Sequence, residues 1–274
     1  MTDRDLKLKS VELRKKVLKY IYLANAGHTG GSLSCIDILN VLYNRVLKVD
    51  PNNFSDPDRD RYIQSKGHSV EALYVTLADR GFFAESELET LCRYQSNYIG
   101  HPTKKVNGIE QNTGALGHGL SLCIGEAIAA KLDKKNHRIY TLLGDGELTE
   151  GSNWEALLSA AHYKLDNLYA ILDYNKQQIS GSNQEVMNID PVRKKLESFG
   201  WSVVELIGHE LYDLEEALNS GPFKKGKPNF IIAHTIKGKG VSFMERVVKW
   251  HHGVPSAEQY DQAQKELNQA IMEI

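Results

Sequence analysis

Apolar residues recur along the chain with two different spacings, and the change falls near residue 135. In the first part they follow the spacing of an amphipathic helix, as Leu13, Val17 and Ile21 do. Four helices are predicted on this basis, over residues 6–23, 34–47, 68–80 and 117–132. The Pro- and Asp-rich segment 50–57 predicts a loop. We therefore expect a helical N-terminal region whose helices are joined by irregular, histidine-bearing loops.

From about residue 136 onward, short apolar runs alternate with amphipathic segments. The runs predict four strands, at residues 138–143, 168–173, 201–206 and 229–234. The segments between them predict helices at residues 153–164, 191–199 and 211–219, and residues 257–274 predict one more. This βαβαβαβ order implies a parallel sheet with helices on both faces, so the expected fold class is α/β.

The composition excludes some classes of function but indicates no particular one. Of the 274 residues, 41% are hydrophobic and 25% are charged, which is ordinary for a globular protein. The formal net charge of -2 offers no electrostatic attraction to nucleic acid or to an acidic membrane. No apolar stretch approaches the roughly 20 residues of a membrane-spanning helix, and the charged residues 1–19 do not resemble a signal peptide. Three well-separated cysteines are typical of reduced thiols. We expect a cytoplasmic protein that binds neither nucleic acid nor membranes.

The segment Gly144-Asp145-Gly146 directly follows the first of these four strands, where ligands of parallel sheets bind. The two glycines allow a sharp turn and a close approach of the backbone to a bound group. The N–H groups of such a turn, and of the helix start after it, favour phosphate. Asp145 would repel a bare phosphate, so we expect a divalent cation between the carboxylate and the phosphate oxygens. Mg²⁺ prefers such oxygen ligands, and Ca²⁺ or Mn²⁺ could replace it.

Asn175 follows the next predicted strand, thirty positions after Asp145. A strand–helix–strand excursion of this length returns to the neighbouring strand end, so both side chains can reach one ion. A loop carbonyl beyond Asn175, that of Gln177, is the expected third protein ligand. The Gly-Asp-Gly segment alone is a weak signal, since many turns contain it, and the pairing with Asn175 is what makes it specific.

Four of the ten histidines lie in glycine-bearing contexts, which are common in active-site loops. They are His28, His68, His101 and His252. Taken singly, each is as compatible with a packed or surface histidine as with a catalytic one. No spacing among them is typical of a zinc site.

The run from Gly144-Asp145-Gly146 to Tyr174-Asn175 resembles the thiamine diphosphate fingerprint, in which an Asn follows Gly-Asp-Gly by about thirty positions. Residues 144–156 are similar to the transketolase branch in particular. The four histidine contexts also match that family, and the resemblance covers essentially the whole chain. It implies the thiamine-diphosphate-binding fold, with residues 1–274 forming a single diphosphate-binding domain.

By this resemblance, His28 and His101 would face the sugar substrate, and His68 the diphosphate end of the cofactor. His252, rather than His251, fits the family position that approaches both diphosphate and substrate. Gly146 and Asn175 would also contact the cofactor.

Residues 112–119 resemble the family loop that contacts the aminopyrimidine ring, which assigns Gly114, Ala115 and Leu116 to cofactor binding. Ala115 and His118 depart from the commonest residues of this loop, so the details of its contact with the aminopyrimidine ring stay open. Glu150 matches a glutamate that links two active sites across a dimer interface. It fits equally well an acid placed near a helix N-terminus.

The resemblance implies transfer of a two-carbon ketol unit from a ketose, expected to be a phosphate, to an aldose acceptor. In this family the glutamate that activates the cofactor belongs to a pyrimidine-binding domain that follows the diphosphate-binding one. No second βα series for that domain is found here. We therefore expect a separate C-terminal subunit that carries it, with self-association into a heterotetramer; a truncated chain is the other explanation.

Three alternatives stay open. One is the corresponding subunit of another thiamine enzyme, such as a 2-oxo acid dehydrogenase or a deoxyxylulose-phosphate synthase, which the histidine set disfavours. Another is a split transketolase-like enzyme for an unusual sugar, such as a sulfonated or branched ketose. The third is a non-catalytic or regulatory homologue, against which the retained Asp145, Asn175 and histidines count.

Overall fold

A computed structural model describes all residues 1–274, and a five-stranded parallel sheet lies at its centre. The strands are β1 (Arg61–Gln64), β2 (Ile139–Gly144), β3 (Leu168–Tyr174), β4 (Ser202–Ile207) and β5 (Asn229–His234). Their order across the sheet is β1-β2-β3-β5-β4, so the two edges are β1 and β4. The expected α/β fold with a parallel sheet is confirmed.

Ten helices surround the sheet. They are α1 (Asp3–Ala24), α2 (Thr29–Ser34), α3 (Ile36–Val41), α4 (Val70–Asp79), α5 (Gly119–Leu132), α6 (Gly151–His162), α7 (Asn183–Val186), α8 (Val192–Ser198), α9 (Leu211–Asn219) and α10 (Ala257–Glu273). A π-helical turn, Leu42–Val46, continues α3, and short 3-10 turns lie at Gly67–Ser69, Glu85–Thr90, Glu147–Thr149 and Val248–His251. None of the helices is both long enough and apolar enough to cross a membrane.

The sheet separates two hydrophobic cores because successive side chains of a strand point to opposite faces. Tyr169 and Ile171 of β3 join the larger core, which includes buried residues of α1, α3, α4, α9 and α10. Leu168, Ala170 and Leu172 join the smaller one, with α5, α6 and α8. Helices therefore cover both faces, as the sequence predicts.

The N-terminal region departs from its predicted form in two places. It contains a strand, β1, where the pattern predicts only helices and loops, and this strand pairs with β2. The helix predicted over residues 34–47 is divided at Cys35, and α2 begins earlier, at Thr29. Gly30 and Gly31, which favour a loop by composition, lie inside α2, and at Gly30 the neighbouring chain comes close. A Cβ atom on Gly30 would lie 3.0 Å from the carbonyl oxygen of Trp250.

The register of the sheet brings three strand ends together. Gly144 of β2 pairs with Asp173 of β3, and Tyr174 of β3 pairs with His234 of β5. Because all strands run in the same direction, the loops after β2, β3 and β5 meet at one edge of the sheet. The functional residues are to be sought there.

Candidate active site

A cavity of about 400 Å³ lies at the carboxyl ends of these strands. Nearly all of the site residues predicted from the sequence line it: His28, His68, Gly114, Leu116, Asp145, Gly146, Asn175, Gln177 and His252. His101 and Ala115 do not. Further lining residues, which the sequence patterns do not single out, include Gly31, Lys66, Glu147, Lys237 and His251.

Asp145 lies in the floor of the cavity with its carboxylate almost fully buried. Its Oδ1 accepts a hydrogen bond from the N–H of Gly146 at 2.9 Å. Its Oδ2 accepts from the N–H of Lys176 at 2.6 Å and from the side-chain amide of Asn183 at 3.0 Å. Burial, with the Asp173 carboxylate close by, raises the pKa of Asp145 to about 6. The contact with Lys176 shows that the loop after β3 reaches Asp145.

The other two predicted metal ligands lie in that same loop. The side-chain oxygen of Asn175 accepts from the N–H of Gln177 at 3.2 Å. The Nζ of Lys237 is 3.4 Å from the carbonyl oxygen of Gln177, so a positive charge already lies beside this oxygen. Carboxylate, amide and carbonyl oxygens are the donors that a hard divalent cation takes, and the residues present therefore fit Mg²⁺.

A buried ion pair between Lys66 and Asp173 lies beside the cavity floor that Asp145 forms. The ammonium of Lys66 also donates to the carbonyl of Gly31 at 3.1 Å, and Asp173 accepts from the hydroxyls of Ser34 and Thr235. Burial alone would lower the pKa of Lys66, but the Asp173 carboxylate raises it above its ordinary value. Burial would likewise raise the pKa of Asp173, and Lys66 keeps it low. Both groups are therefore charged at neutral pH.

Glu147, directly after the Gly-Asp-Gly turn, fixes the loops around the floor. Its carboxylate accepts from the N–H groups of Gly117 and Gly144, each at 3.0 Å, and from the hydroxyl of Ser65. Burial raises the pKa of Glu147. This one side chain thus ties the end of β2 to the loop before α5 and to the segment after β1.

The histidines form a wall of the cavity, with His28 at its centre. The centroid of the His28 ring lies 4.2 Å from that of His252, 5.4 Å from that of His68 and 6.0 Å from that of His101. Burial lowers the pKa of His28 to about 4, and burial also lowers the pKa of His68 and of His101. These three rings are therefore neutral at physiological pH.

His251 belongs to the same wall, although the sequence favours its neighbour His252. Its ring is nearly parallel to that of His68, and its Nδ1 lies 2.8 Å from the Nζ of Lys237. Burial lowers the pKa of His251 to about 3 and that of Lys237 to about 8. The ring nitrogen atoms of His28, His251 and His252 lie within 4.8 Å of one another, so these three side chains can contact one bound group.

His101 packs against the loop that carries Gly114. A Cβ atom on Gly114 would lie 2.6 Å from Cδ2 of the His101 ring, and the positive φ of Gly114 also favours glycine. Ala115, in contrast, is exposed and does not line the cavity. Glu150 lines the cavity and is exposed, and it directly precedes α6. These positions leave the roles of His101, Ala115 and Glu150 as predictions.

Residues 8–270 match the family model described as the transketolase, thiamine diphosphate binding domain. The chain belongs to the transketolase family. It is 48% identical over 271 residues to an apulose-4-phosphate transketolase subunit of Phocaeicola vulgatus, covering 99% of this chain and 96% of the relative. It is also 40% identical over 264 residues to the 6-deoxy-6-sulfo-D-fructose transketolase subunit SqwG of a Clostridium species, covering 96% of each. The predicted transketolase enzyme subunit with a thiamine-diphosphate-binding domain is thus confirmed.

Solved transketolase structures share this fold. A mutant transketolase from Pichia stipitis superposes with a TM-score of 0.91 and 27% identity, over 97% of this chain and 41% of its own. The Campylobacter jejuni transketolase gives a TM-score of 0.90 and 30% identity, over 98% of this chain and 43% of its own. The chain thus spans about two fifths of the length of these transketolases.

Several residues of this transketolase site give no signal in the sequence because their contacts are long-range. Lys66 stands in the segment Ser65-Lys66-Gly67-His68, which attracts attention for its histidine alone. Lys237 lies in the loop after β5, where ligands are expected, but nothing in its local pattern points to the cavity. Glu147 follows the Gly-Asp-Gly turn and reads as an ordinary acid near a helix start. Only the assembled sheet brings these groups together.

Proposed function

We propose that the chain supplies the metal- and diphosphate-binding half of a ketol-transferring active site, and that a separate polypeptide supplies the other half. The observation that carries this proposal is the placement of Asp145 and Asn175 at adjacent strand ends, in a cavity that His28, His68 and His252 also line. The partner would carry the pyrimidine-binding domain and the glutamate that activates the cofactor. Assembly of two copies of each chain into a heterotetramer is part of the proposal, as is a cytoplasmic location.

Mg²⁺ would be held by Asp145, Asn175 and the carbonyl of Gln177, with Ca²⁺ or Mn²⁺ as possible replacements. The cation would join the buried Asp145 carboxylate to the cofactor's diphosphate, which that carboxylate would otherwise repel. Lys237, whose ammonium lies beside Gln177, adds positive charge at the same end. His68 and Gly146 would complete the contacts with the diphosphate, and Gly114, Ala115 and Leu116 would contact the aminopyrimidine ring.

Thiamine diphosphate, when bound, supplies the nucleophilic carbon and the electron sink for cleavage of a bond next to a ketone. The protein contributes orientation and proton transfer. His28, His101 and His252 are proposed to face the sugar. Because burial keeps the rings of His28 and His101 neutral, each can accept a hydrogen bond at one nitrogen and donate one at the other. Such rings can orient sugar hydroxyls and take up or release their protons.

The donor sugar is proposed to be a ketose that carries an anionic group, most simply a phosphate. Two relatives are named for apulose 4-phosphate and a third for 6-deoxy-6-sulfo-D-fructose. These names support an anionic sugar and keep a branched or sulfonated ketose as the second candidate. A coupled assay with matched ketose phosphates and ketose sulfonates, measured as kcat/KM, separates the two.

The central test mixes the purified chain with its partner subunit in the presence of thiamine diphosphate and Mg²⁺. We expect no ketol transfer by this chain alone and turnover by the mixture, and turnover by the isolated chain would contradict the proposal. Asp145→Ala is expected to lower the Mg²⁺-dependent affinity for the cofactor by about 100-fold or more, because loss of even an outer partner of a metal ligand costs about 10- to 100-fold. Titration calorimetry measures this, with the exposed Asp133→Ala as the control.

A further inference from the structure

Glu71 is a buried carboxylate beneath the histidine wall. It lies in the first turn of α4, is 1% exposed and does not line the cavity. No lysine or arginine forms a salt bridge with it. Its hydrogen bonds go instead to the segment that carries His28: Oε1 accepts from the backbone N–H of His28 at 3.2 Å, and Oε2 accepts from the hydroxyl of Ser32 at 2.7 Å.

The two hydrogen bonds hold both ends of one turn. The N–H of Ser32 donates to the carbonyl of His28 at 3.0 Å, so His28 and Ser32 enclose the first turn of α2. Gly27 lets the carboxylate come close, because a Cβ atom there would lie 2.8 Å from Oε1 of Glu71, and its positive φ also favours glycine. The backbone on either side of the His28 side chain is thereby fixed to α4.

A carboxylate is a costly choice for this place, since the burial of a charge without a counter-ion is unfavourable. Burial raises the pKa of Glu71 to about 7. The other titratable groups near it, Tyr74 of α4 and Cys92, are neutral in their ordinary forms and provide no counter-charge. The hydrogen bonds to the turn that begins at His28 are therefore the interactions that offset the cost of burying this carboxylate.

We propose that Glu71 is a positioning residue that holds the His28 imidazole in the cavity through the backbone N–H of His28 and the hydroxyl of Ser32. The ring of His28 contacts those of His252, His68 and His101, so a shift of this turn displaces the centre of the wall. The inference rests on the proposed function, in which His28 faces the sugar. It adds a residue that acts on the sugar end of the site without contacting sugar, cofactor or metal.

The test is a double-mutant cycle in the holoenzyme assembled with the partner subunit. Glu71→Leu, which removes the hydrogen bonds and keeps an apolar side chain, is expected to lower kcat/KM for the donor sugar by about 10-fold. The affinity for thiamine diphosphate is expected to change by less than about 2-fold. Glu71→Gln, whose amide can accept from His28 and contact Ser32, is expected to recover most of the loss. In a His28→Ala background, Glu71→Leu is expected to lower kcat/KM hardly further.

An equal effect of Glu71→Leu with and without His28, or no recovery by Gln, would overturn the inference. If Glu71→Leu does not fold, Ser32→Ala removes one of the two hydrogen bonds and is expected to show the same dependence on His28, with a smaller loss. His28→Ala alone reports on the proposed function: an unchanged kcat/KM would reject the role of His28 in sugar binding. The NMR signals of the His28 ring in the isolated chain report positioning independently of activity, and unchanged signals in Glu71→Leu would reject the role of Glu71.

Discussion

The two ends of the cavity rest on buried carboxylates that are stabilised in opposite ways. Beneath the end that is proposed to bind the metal and the diphosphate, Asp173 is paired with the Lys66 ammonium and stays ionised. Beneath the histidine wall, Glu71 has only neutral hydrogen-bond donors and a pKa raised to about 7. One end therefore has a support whose charge is constant near neutral pH, and the other has a support that titrates there.

This difference matches what each end is proposed to do. An anionic diphosphate and a divalent cation need charges in constant positions. The hydroxyls of a sugar need hydrogen-bonding rings, and neutral surroundings leave such rings unprotonated. Variants that remove one support while keeping the other should therefore have distinct consequences.

The largest effect on folding is expected from Lys66→Met, which leaves Asp173 buried without a counter-ion. Removal of one partner of a buried pair costs about 3–5 kcal/mol. The control is Lys131→Met, which breaks the more exposed pair with Asp166 and is expected to cost about 1 kcal/mol or less. Urea denaturation of both variants measures the free energy of unfolding. Equal losses would show that the Lys66–Asp173 pair contributes no more than a surface pair.

A smaller, pH-dependent effect is expected from Glu71→Gln. The pKa of Glu71 is about 7 in the folded chain, against an ordinary value of 4.5. Between these values the folded state holds a proton that the unfolded state has released, so the free energy of unfolding falls as the pH rises, by about 1.4 kcal/mol per unit at most. Gln lacks this loss. The stability of Glu71→Gln relative to the natural chain should therefore rise between pH 5 and pH 8, and a difference that does not vary with pH would contradict this.

The smallest effects are expected from substitution of the neighbouring residues His251 and His252. One substitution should affect cofactor binding and the other the reaction of the sugar. His251 is bonded to Lys237 and lies parallel to His68, so His251→Asn should weaken thiamine diphosphate binding by about 3-fold. His252 lies against His28, so His252→Asn should lower kcat/KM for the sugar by about 10-fold. Calorimetry on the isolated chain and kinetics of the assembled enzyme measure the two. If both variants changed the cofactor affinity and kcat/KM to the same extent, the two histidines would not serve different ends of the cavity.

Much of the fold could be predicted because its signals are local. The pattern of α1 persists over 22 residues, and β2 to β5 are apolar runs between clear breaks. The strand β1 has only four residues, begins with Arg61 and lies at the edge of the sheet, so its pattern does not differ from that of a loop. The start of α2 could not be predicted because it contains two glycines, of which Gly30 allows close packing against Trp250.

The site residues likewise fall into those with a local sequence signal and those without one. Asp145 and Asn175 could be paired from the sequence alone, because each follows a predictable strand and neighbouring strand ends meet. The histidines come from four distant segments, and only resemblance to a family groups them. Lys66 and Glu71 could not be found in this way. Their importance depends on burial and on partners at least 35 residues away along the chain, such as Gly31 for Lys66, and no local pattern records that.

The short edge strand β1 also has a consequence for how the site comes apart. The only strand that β1 pairs with is β2, and Lys66, just beyond β1, continues this pairing through a hydrogen bond from its N–H to the carbonyl of Leu142 at 3.0 Å. Amide hydrogens exchange through local opening, and a strand that pairs on one side only has fewer backbone hydrogen bonds to hold it than an inner strand has. Because Lys66 and His68 follow β1 directly, a single opening event of this edge would displace both a support of the cavity floor and one ring of the histidine wall. A ligand that contacts both the cavity floor and the histidine wall would then slow hydrogen exchange in β1, away from the ligand's own contacts.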